Sequence, residues 1–208
     1  MVFSERLLQK DILEICRSTA DYLDSLEKIR TSEDNNFFGI KIQPNQLINI
    51  FGESEKKAAH LLSRFDKIIL LTRKSRVKQA ISTLIAEKTG KWLCDGSDKS
   101  LSLDIFKSEF PRILEIINRF NEEDIYMKKL LNMLKTPVLE ISYEEISENE
   151  KKLISKVITF LSSNNKNHEL YDVVRVARKN QGDLEKLIEE AFQDFCKSNN
   201  LLVKTSNN

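Results

Sequence analysis

Apolar residues recur every three or four positions along most of this chain, a pattern typical of helices that bury one face. The clearest example runs from Ser75 to residue 89, and Gly90 then provides a stop signal. A longer helical pattern covers residues 103–134, and Pro111 predicts an interruption or a new start within it. The same spacing predicts helices over residues 4–30, 46–51, 54–65, 183–196 and, after a capping box formed by Ser147 and Glu150, as far as Leu161.

Three short apolar runs lack this spacing and predict β-strands: residues 37–42, 68–72 and 137–143. The middle run, Ile-Ile-Leu-Leu-Thr, is continuous, as expected for a strand that is buried on both faces of a parallel sheet. Strands that alternate with helices predict a helix-rich α/β fold, in which helices sandwich a small parallel sheet. We expect a single domain over residues 1–208, with a frayed tail over residues 200–208.

The composition supports a packed core and gives little sign of a polyanionic partner. Hydrophobic residues make up 40% of the 208 residues, and eleven of them are Phe, so wholesale disorder is not expected. Thirty-three basic side chains against thirty-two acidic ones leave a net charge of +1. That balance argues against nucleic-acid or membrane-surface binding, although it leaves room for a local anion site.

Cysteine and histidine usage narrows the chemistry further. Cys16, Cys94 and Cys196 are too few and too far apart for a disulfide framework, as is usual in a reducing compartment. No run approaches the ~18 apolar residues of a membrane span, and the charged beginning of the chain has no signal-peptide core. A cytoplasmic protein is therefore expected. His60 and His168 lack metal-ligand spacing with cysteines or carboxylates, so no metal site is predicted.

The passage from the middle strand into the following helix holds the candidate binding residues. In open α/β sheets ligands bind beyond the carboxyl ends of strands, and a helix N-terminus presents free amides to an anion. Arg73 stands at this strand end, where its guanidinium can take a phosphate in bidentate fashion. Ser75, Lys78 and Ser82 follow three and four residues apart, so they share one helix face. That face is either a phosphate cradle or the solvated side of an ordinary amphipathic helix.

Residues 71–92 resemble the trehalose 2-sulfotransferase family. That family shows an Arg after a strand, then Gln-Ala-x-Ser, then Ala-x-x-Thr-x-x-Trp, at the same spacing as here. The matching residues are Arg73, Gln79, Ala80, Ser82, Ala86, Thr89 and Trp92. Shorter resemblances lie in Phe38-Gly39-Ile40-Lys41, in the late strand that runs into Tyr143-Glu144-Glu145-Ile146 and, weakly, in Arg178-Lys179-Asn180-Gln181-Gly182-Asp183.

The resemblance implies a bacterial sulfotransferase-like domain of the P-loop-like superfamily, with 3′-phosphoadenylyl sulfate as the sulfate donor and a carbohydrate or similar hydroxyl as acceptor. Arg73 and Ser82 would hold the 3′-phosphate of the donor, with Ser75 and Lys78 beside them. Arg178 and Lys179 would close over the same nucleotide. Lys41 and Trp92 would lie on the acceptor side of the cleft.

One family feature is missing from the sequence. Family members begin with a strand and an Arg-Ser-Gly-Ser-Thr loop that grips the 5′-phosphosulfate, and none of the five glycines here lies in such a loop. The family's catalytic base also has no matching position, so no catalytic residue is predicted. Three hypotheses remain: an enzyme completed by a missing N-terminal segment, a non-catalytic binding or interaction module, and an unrelated α/β protein. In the last of these, Arg73 would point into solvent without facing any cleft.

Overall fold

A computed structural model describes residues 19–31, 38–52, 54–90, 102–162 and 183–202. The chain divides into two compact units, Met1–Arg64 and Phe65–Asn208. In the first unit, helix α1 spans Thr19–Arg30, α2 spans Pro44–Phe51 and α3 spans Glu55–Leu62. These bounds confirm the predicted helices over residues 46–51 and 54–65 to within a few residues.

The strand predicted over residues 37–42 is wrong as far as the structure describes it. Residues 38–43 form neither strand nor helix, and residue 37 lies outside the described residues. A strand needs a neighbour to satisfy its backbone groups, and the described part of the first unit contains no strand to pair with. The segment instead leads directly into α2, where the backbone N–H of Gln43 donates to Oε1 of Gln46 at 2.7 Å.

The second unit contains a parallel pair of strands, β1 (Ile68–Thr72) and β2 (Val138–Ser142). Their register runs from Ile68 opposite Val138 to Thr72 opposite Ser142. These strands confirm two of the predicted runs, and the chain is a helix-rich α/β protein with a small parallel sheet flanked by helices. The expectation that β1 is buried on both faces is wrong, since Ile69 is 40% exposed and Leu71 is 56% exposed.

Helix α4 (Arg76–Thr89) follows β1 and has a defined cap at each end. At its start the Ser75 hydroxyl accepts a hydrogen bond from the backbone N–H of Lys78 at 3.3 Å. At its end Gly90 adopts φ 68°, a left-handed conformation that other residues rarely take. The predicted helix over residues 75–89 is therefore confirmed, with Ser75 as its cap.

The long pattern over residues 103–134 folds as two helices, α5 (Leu103–Lys107) and α6 (Phe110–Asn132). Pro111 lies in the first turn of α6, where its missing N–H leaves no hydrogen bond unmade. The predicted interruption is thus confirmed, and it falls just before the proline. Helix α9 spans Asp183–Ser198 and also confirms a predicted helix.

These four helices of the second unit enclose the main hydrophobic core. Its members come from one face of each helix, as the helical spacing predicted. They are Val77, Ala80, Ile81 and Leu84 of α4, Phe106 of α5, Phe110, Ile113, Ile116 and Ile117 of α6, and Ile188, Phe192 and Cys196 of α9.

Two helices follow β2: α7 (Tyr143–Glu148) and α8 (Glu150–Leu161). The cap predicted at Ser147 is wrong, because that residue lies within α7 and the Asn149 side chain caps α8, accepting from the Lys152 N–H at 3.0 Å. At the other end of α8, Lys67 Nζ donates to the carbonyls of Phe160 and Leu161 at 2.6 and 2.9 Å. A cation at a helix C-terminus is favourable, so Lys67 fixes α8 next to the start of β1.

Candidate functional site

Arg73 and Tyr143 face each other at the carboxyl ends of the two strands. The last strand pair is Thr72 with Ser142, so the next residue of each chain segment emerges at the same edge. Arg73 Cζ lies 4.6 Å from the centroid of the Tyr143 ring, within the range of a cation–π contact. Nε of Arg73 is buried and has no hydrogen-bond partner among the described residues. The guanidinium is therefore held against the ring and does not simply extend into solvent.

The Glu144 carboxylate accepts hydrogen bonds from the two backbone N–H groups that follow Arg73. Its Oε2 accepts from the Lys74 N–H at 3.0 Å, and its Oε1 accepts from the Ser75 N–H at 3.5 Å. The β1–α4 connection therefore binds an oxyanion in the folded chain, and that oxyanion is the chain's own carboxylate.

The hydrogen bonds and charges around Glu144 favour its ionised form. Partial burial raises the pKa of this carboxyl, but hydrogen bonds from the N–H groups of Lys74, Glu144 itself and Ser75 lower it. The charge of Arg73 lowers it further, so the pKa of Glu144 lies below its ordinary value of 4.5. Glu144 is thus a carboxylate at neutral pH.

Glu144 is expected to make the free energy of unfolding depend on pH in the acidic range. Because its pKa is lower in the folded chain, its contribution is complete above pH 4.5 and is lost as the pH falls through the folded pKa. We expect the free energy of unfolding of wild type to exceed that of Glu144→Gln by about 0.5–1 kcal/mol near pH 7, a figure reduced for solvent screening, and the difference to shrink as the pH falls through the folded pKa of Glu144. Urea unfolding at a series of pH values measures this.

The matched control for this prediction is Glu148→Gln, which removes the same charge from an exposed position of α7. The charge of Arg73 acts on Glu144, and the charge of Glu144 acts in turn on Arg76. Equal pH profiles for Glu144→Gln and Glu148→Gln would contradict a special role of Glu144.

Arg76 extends the polar cluster from the strand edge toward α6. Its side chain is buried; it forms an ion pair with Asp124 and donates to Oε1 of Gln79. Burial lowers the pKa of Arg76, and the carboxylates of Glu123 and Glu144 oppose that shift. Burial also raises the pKa of Glu123, against the opposing charges of Arg119 and Arg76. The first turn of α4 is thus tied to the middle of α6 by charge.

The structure brings only part of the predicted phosphate-binding face to this edge. Ser75 lies there, as the cap of α4. Lys78 Nζ instead lies 3.9 Å from Oε2 of Glu189 on α9. Ser82 is about 10 Å farther along α4 than Ser75, from the rise of 1.5 Å per residue. Of the predicted phosphate cradle, Arg73 and Ser75 lie at the strand edge together with the adjoining amides.

The remaining predicted site residues are Trp92, Arg178, Lys179 and Lys41. Trp92, Arg178 and Lys179 are outside the described residues, and so the structure gives no position for them. Lys41 is exposed in an irregular segment of the first unit, and the strand that was expected to carry it is not formed.

The described residues also bear on metals, thiols and membranes. No group of three or more His, Cys, Asp or Glu side chains that could hold a metal ion occurs in the described ranges. Cys196 is buried and free, and burial raises the pKa of its thiol. Within the same ranges, no helix combines the length and the apolar character needed to span a membrane.

Sequence reasoning missed Tyr143, Glu144 and Arg76 as members of this cluster. The signal for the first two was present, since Tyr143 ends a predicted strand and Glu144 follows it, and parallel strands end at one edge of a sheet. No family model matches the chain, and no curated protein or solved structure matches it either.

Proposed function

We propose that this chain is a sulfotransferase-like nucleotide-binding protein that takes the 3′-phosphate of 3′-phosphoadenylyl sulfate at Arg73. The observation that carries the proposal is the position of Arg73 at the carboxyl edge of the parallel strands, with its guanidinium against Tyr143 and its Nε buried. The resemblance of residues 71–92 to the trehalose 2-sulfotransferase family supports the choice of ligand. The third hypothesis, of an unrelated protein, expected Arg73 to point into solvent, and the ring contact weighs against it.

The geometry around Arg73 suits a phosphate for two physical reasons. A guanidinium that already lies against an aromatic ring loses less side-chain entropy when it binds a ligand than a freely moving one. Arg73 also stands two residues before the cap of α4, whose N-terminus favours negative charge. A phosphate here would meet a planar cation and a helix N-terminus together.

Sulfate transfer to a carbohydrate hydroxyl is a further step of the same proposal. Transfer needs donors that stabilise charge on the moving sulfuryl oxygens and a base for the acceptor hydroxyl. The sequence contains no Arg-Ser-Gly-Ser-Thr loop to supply those donors. We therefore propose transfer only when another segment supplies this loop, and a non-catalytic nucleotide-binding module otherwise.

Calorimetric titration with adenosine 3′,5′-bisphosphate tests the nucleotide site. We expect Arg73→Ala to weaken binding about tenfold to a hundredfold, because one or two charge-assisted hydrogen bonds are lost. Arg73→Lys should recover only part of that loss, since an ammonium lacks the planar fork. Adenosine 5′-monophosphate, which has no 3′-phosphate, should bind wild type and Arg73→Ala equally weakly.

Arg112→Ala is the matched control, because Arg112 is an exposed arginine of α6 that pairs with Glu115 at 2.8 Å. It should bind the nucleotide as wild type does. Absence of heat with wild type at millimolar nucleotide, or equal affinity of wild type and Arg73→Ala, would contradict the proposed site.

A further inference from the structure

Arg73, Lys74 and Ser75 form one continuous oxyanion-binding surface, and Glu144 lies on part of it. The carboxylate accepts from two consecutive backbone N–H groups, those of Lys74 and Ser75, at 3.0 and 3.5 Å. It also lies close enough to Arg73 for that charge to act on it. A carboxylate and one edge of a phosphate both present two oxygens, so they satisfy the same pair of donors.

We propose that Glu144 is an autoinhibitory contact that competes with the phosphate of the incoming nucleotide for the Lys74 and Ser75 amides. We call this contact, the Glu144 carboxylate on the two amides, the Glu144 clasp. The inference rests on the proposed function, because the competitor is the phosphate that Arg73 binds. Ligand binding then requires the clasp to open, so that the two N–H groups donate to the phosphate in place of Glu144.

The strand register explains why the clasp forms in the folded chain. Thr72 and Ser142 are the last paired residues, so residues 74 and 144 lie two steps beyond the same pair on parallel strands. Glu144 belongs to α7, whose start is fixed by a capping box in which Ser142 and Glu145 bond reciprocally. The carboxylate is therefore presented to the β1–α4 connection without a large entropic loss.

A closed clasp lowers the apparent affinity for the nucleotide. If the clasp is closed in about nine molecules of ten, opening it by mutation should tighten binding about tenfold, since apparent affinity scales with the competent fraction. Glu144→Gln keeps the shape of the side chain but removes the charge that competes with phosphate. Glu144→Ala removes the acceptor altogether and should have the larger effect.

The test combines nucleotide affinity with the amide signals of Lys74 and Ser75 in ¹H–¹⁵N spectra. We expect adenosine 3′,5′-bisphosphate to bind Glu144→Ala about tenfold more tightly than wild type and Glu144→Gln to show part of that gain, with saturable shifts at both amides. Glu148→Gln, with the same charge change at an exposed position of α7, should stay within about twofold of wild type. Equal affinities of wild type, Glu144→Gln and Glu144→Ala would overturn the clasp and leave the Arg73 site intact.

Inorganic phosphate separates failure of the clasp from failure of the nucleotide site. If no variant binds the nucleotide, the proposed function fails, and phosphate alone then decides whether the amides are an anion site that Glu144 blocks. Saturable phosphate-induced shifts of Lys74 and Ser75 in Glu144→Ala, but not in wild type, support the competition. Their absence in every variant overturns it. Thermal unfolding of each variant before titration confirms that the protein measured is folded.

Discussion

Replacing Phe192 with Ala is expected to lower the free energy of unfolding by about 3–5 kcal/mol, the range for deleting a buried aromatic ring. Phe192 is 1% exposed and belongs to the core shared by α4, α5, α6 and α9. Its ring lies 5.7 Å from that of Phe110 in an edge-to-face arrangement and 6.3 Å from that of Phe195. The deletion removes these contacts and leaves a cavity between α9 and the other helices. Urea unfolding followed by circular dichroism measures the loss.

Leu187→Ala provides the comparison on the same helix. Leu187 is also a large apolar residue of α9, but it is 49% exposed. Its deletion should change stability by less than about 1 kcal/mol, as is usual for surface positions. Similar losses for the two variants would contradict the packing of α9 through the face that carries Phe192.

The helices could be predicted because their signals are local. The start of α4 depends on the Ser75 hydroxyl and its end on the conformation of Gly90, and both are read directly from neighbouring residues. Pro111 marked the break between α5 and α6 in the same way. One local signal misled: Ser147 and Glu150 have capping-box spacing, but α7 already includes Ser147.

The sheet could be predicted only in part, because strands are stabilised by residues that are distant in the sequence. Residues 68–72 and 138–142 have similar apolar patterns and pair with each other. Residues 38–42 have a comparable pattern and remain irregular, because the described part of their unit has no strand for them to join. The burial of Leu71 also depends on distant residues. An apolar run does not reveal which helices pack on each face of its strand, and Leu71 is 56% exposed.

In the candidate site too, features that depend on local sequence could be predicted, and contacts between distant residues could not. Arg73 could be placed because it directly follows its strand, whereas Glu144, which lies 70 residues away from Lys74, meets it only through the strand register. Lys78 pairs with Glu189 on α9, and no spacing within α4 could indicate that partner. The carboxyl edge of the strands could therefore be identified as the charged edge from the sequence. The charged side chains that meet at this edge are determined by tertiary contacts.

Asp124→Asn is expected to destabilise the fold by about 2–3 kcal/mol, because it leaves the buried Arg76 guanidinium without its closest counter-charge. The Arg76 side chain is 9% exposed and that of Asp124 is 39% exposed, so we place the loss below the full cost of breaking a completely buried pair. Glu123 and Glu144 remain nearby and compensate part of the charge. Since Arg76 begins α4, this variant should also loosen the helix that follows Arg73. The free energy of unfolding in urea measures the effect.

Glu115→Gln is the control, since it breaks a pair with Arg112 in which both side chains are solvent-exposed, at 65% and 44%. Its effect should stay within about 0.5 kcal/mol, as for most surface ion pairs. Combining Asp124→Asn with Arg76→Met removes the uncompensated charge, so the double variant should be more stable than Asp124→Asn alone. If Asp124→Asn costs no more than Glu115→Gln, Arg76 is solvated in solution, and the link from β1 through α4 to α6 is not electrostatic.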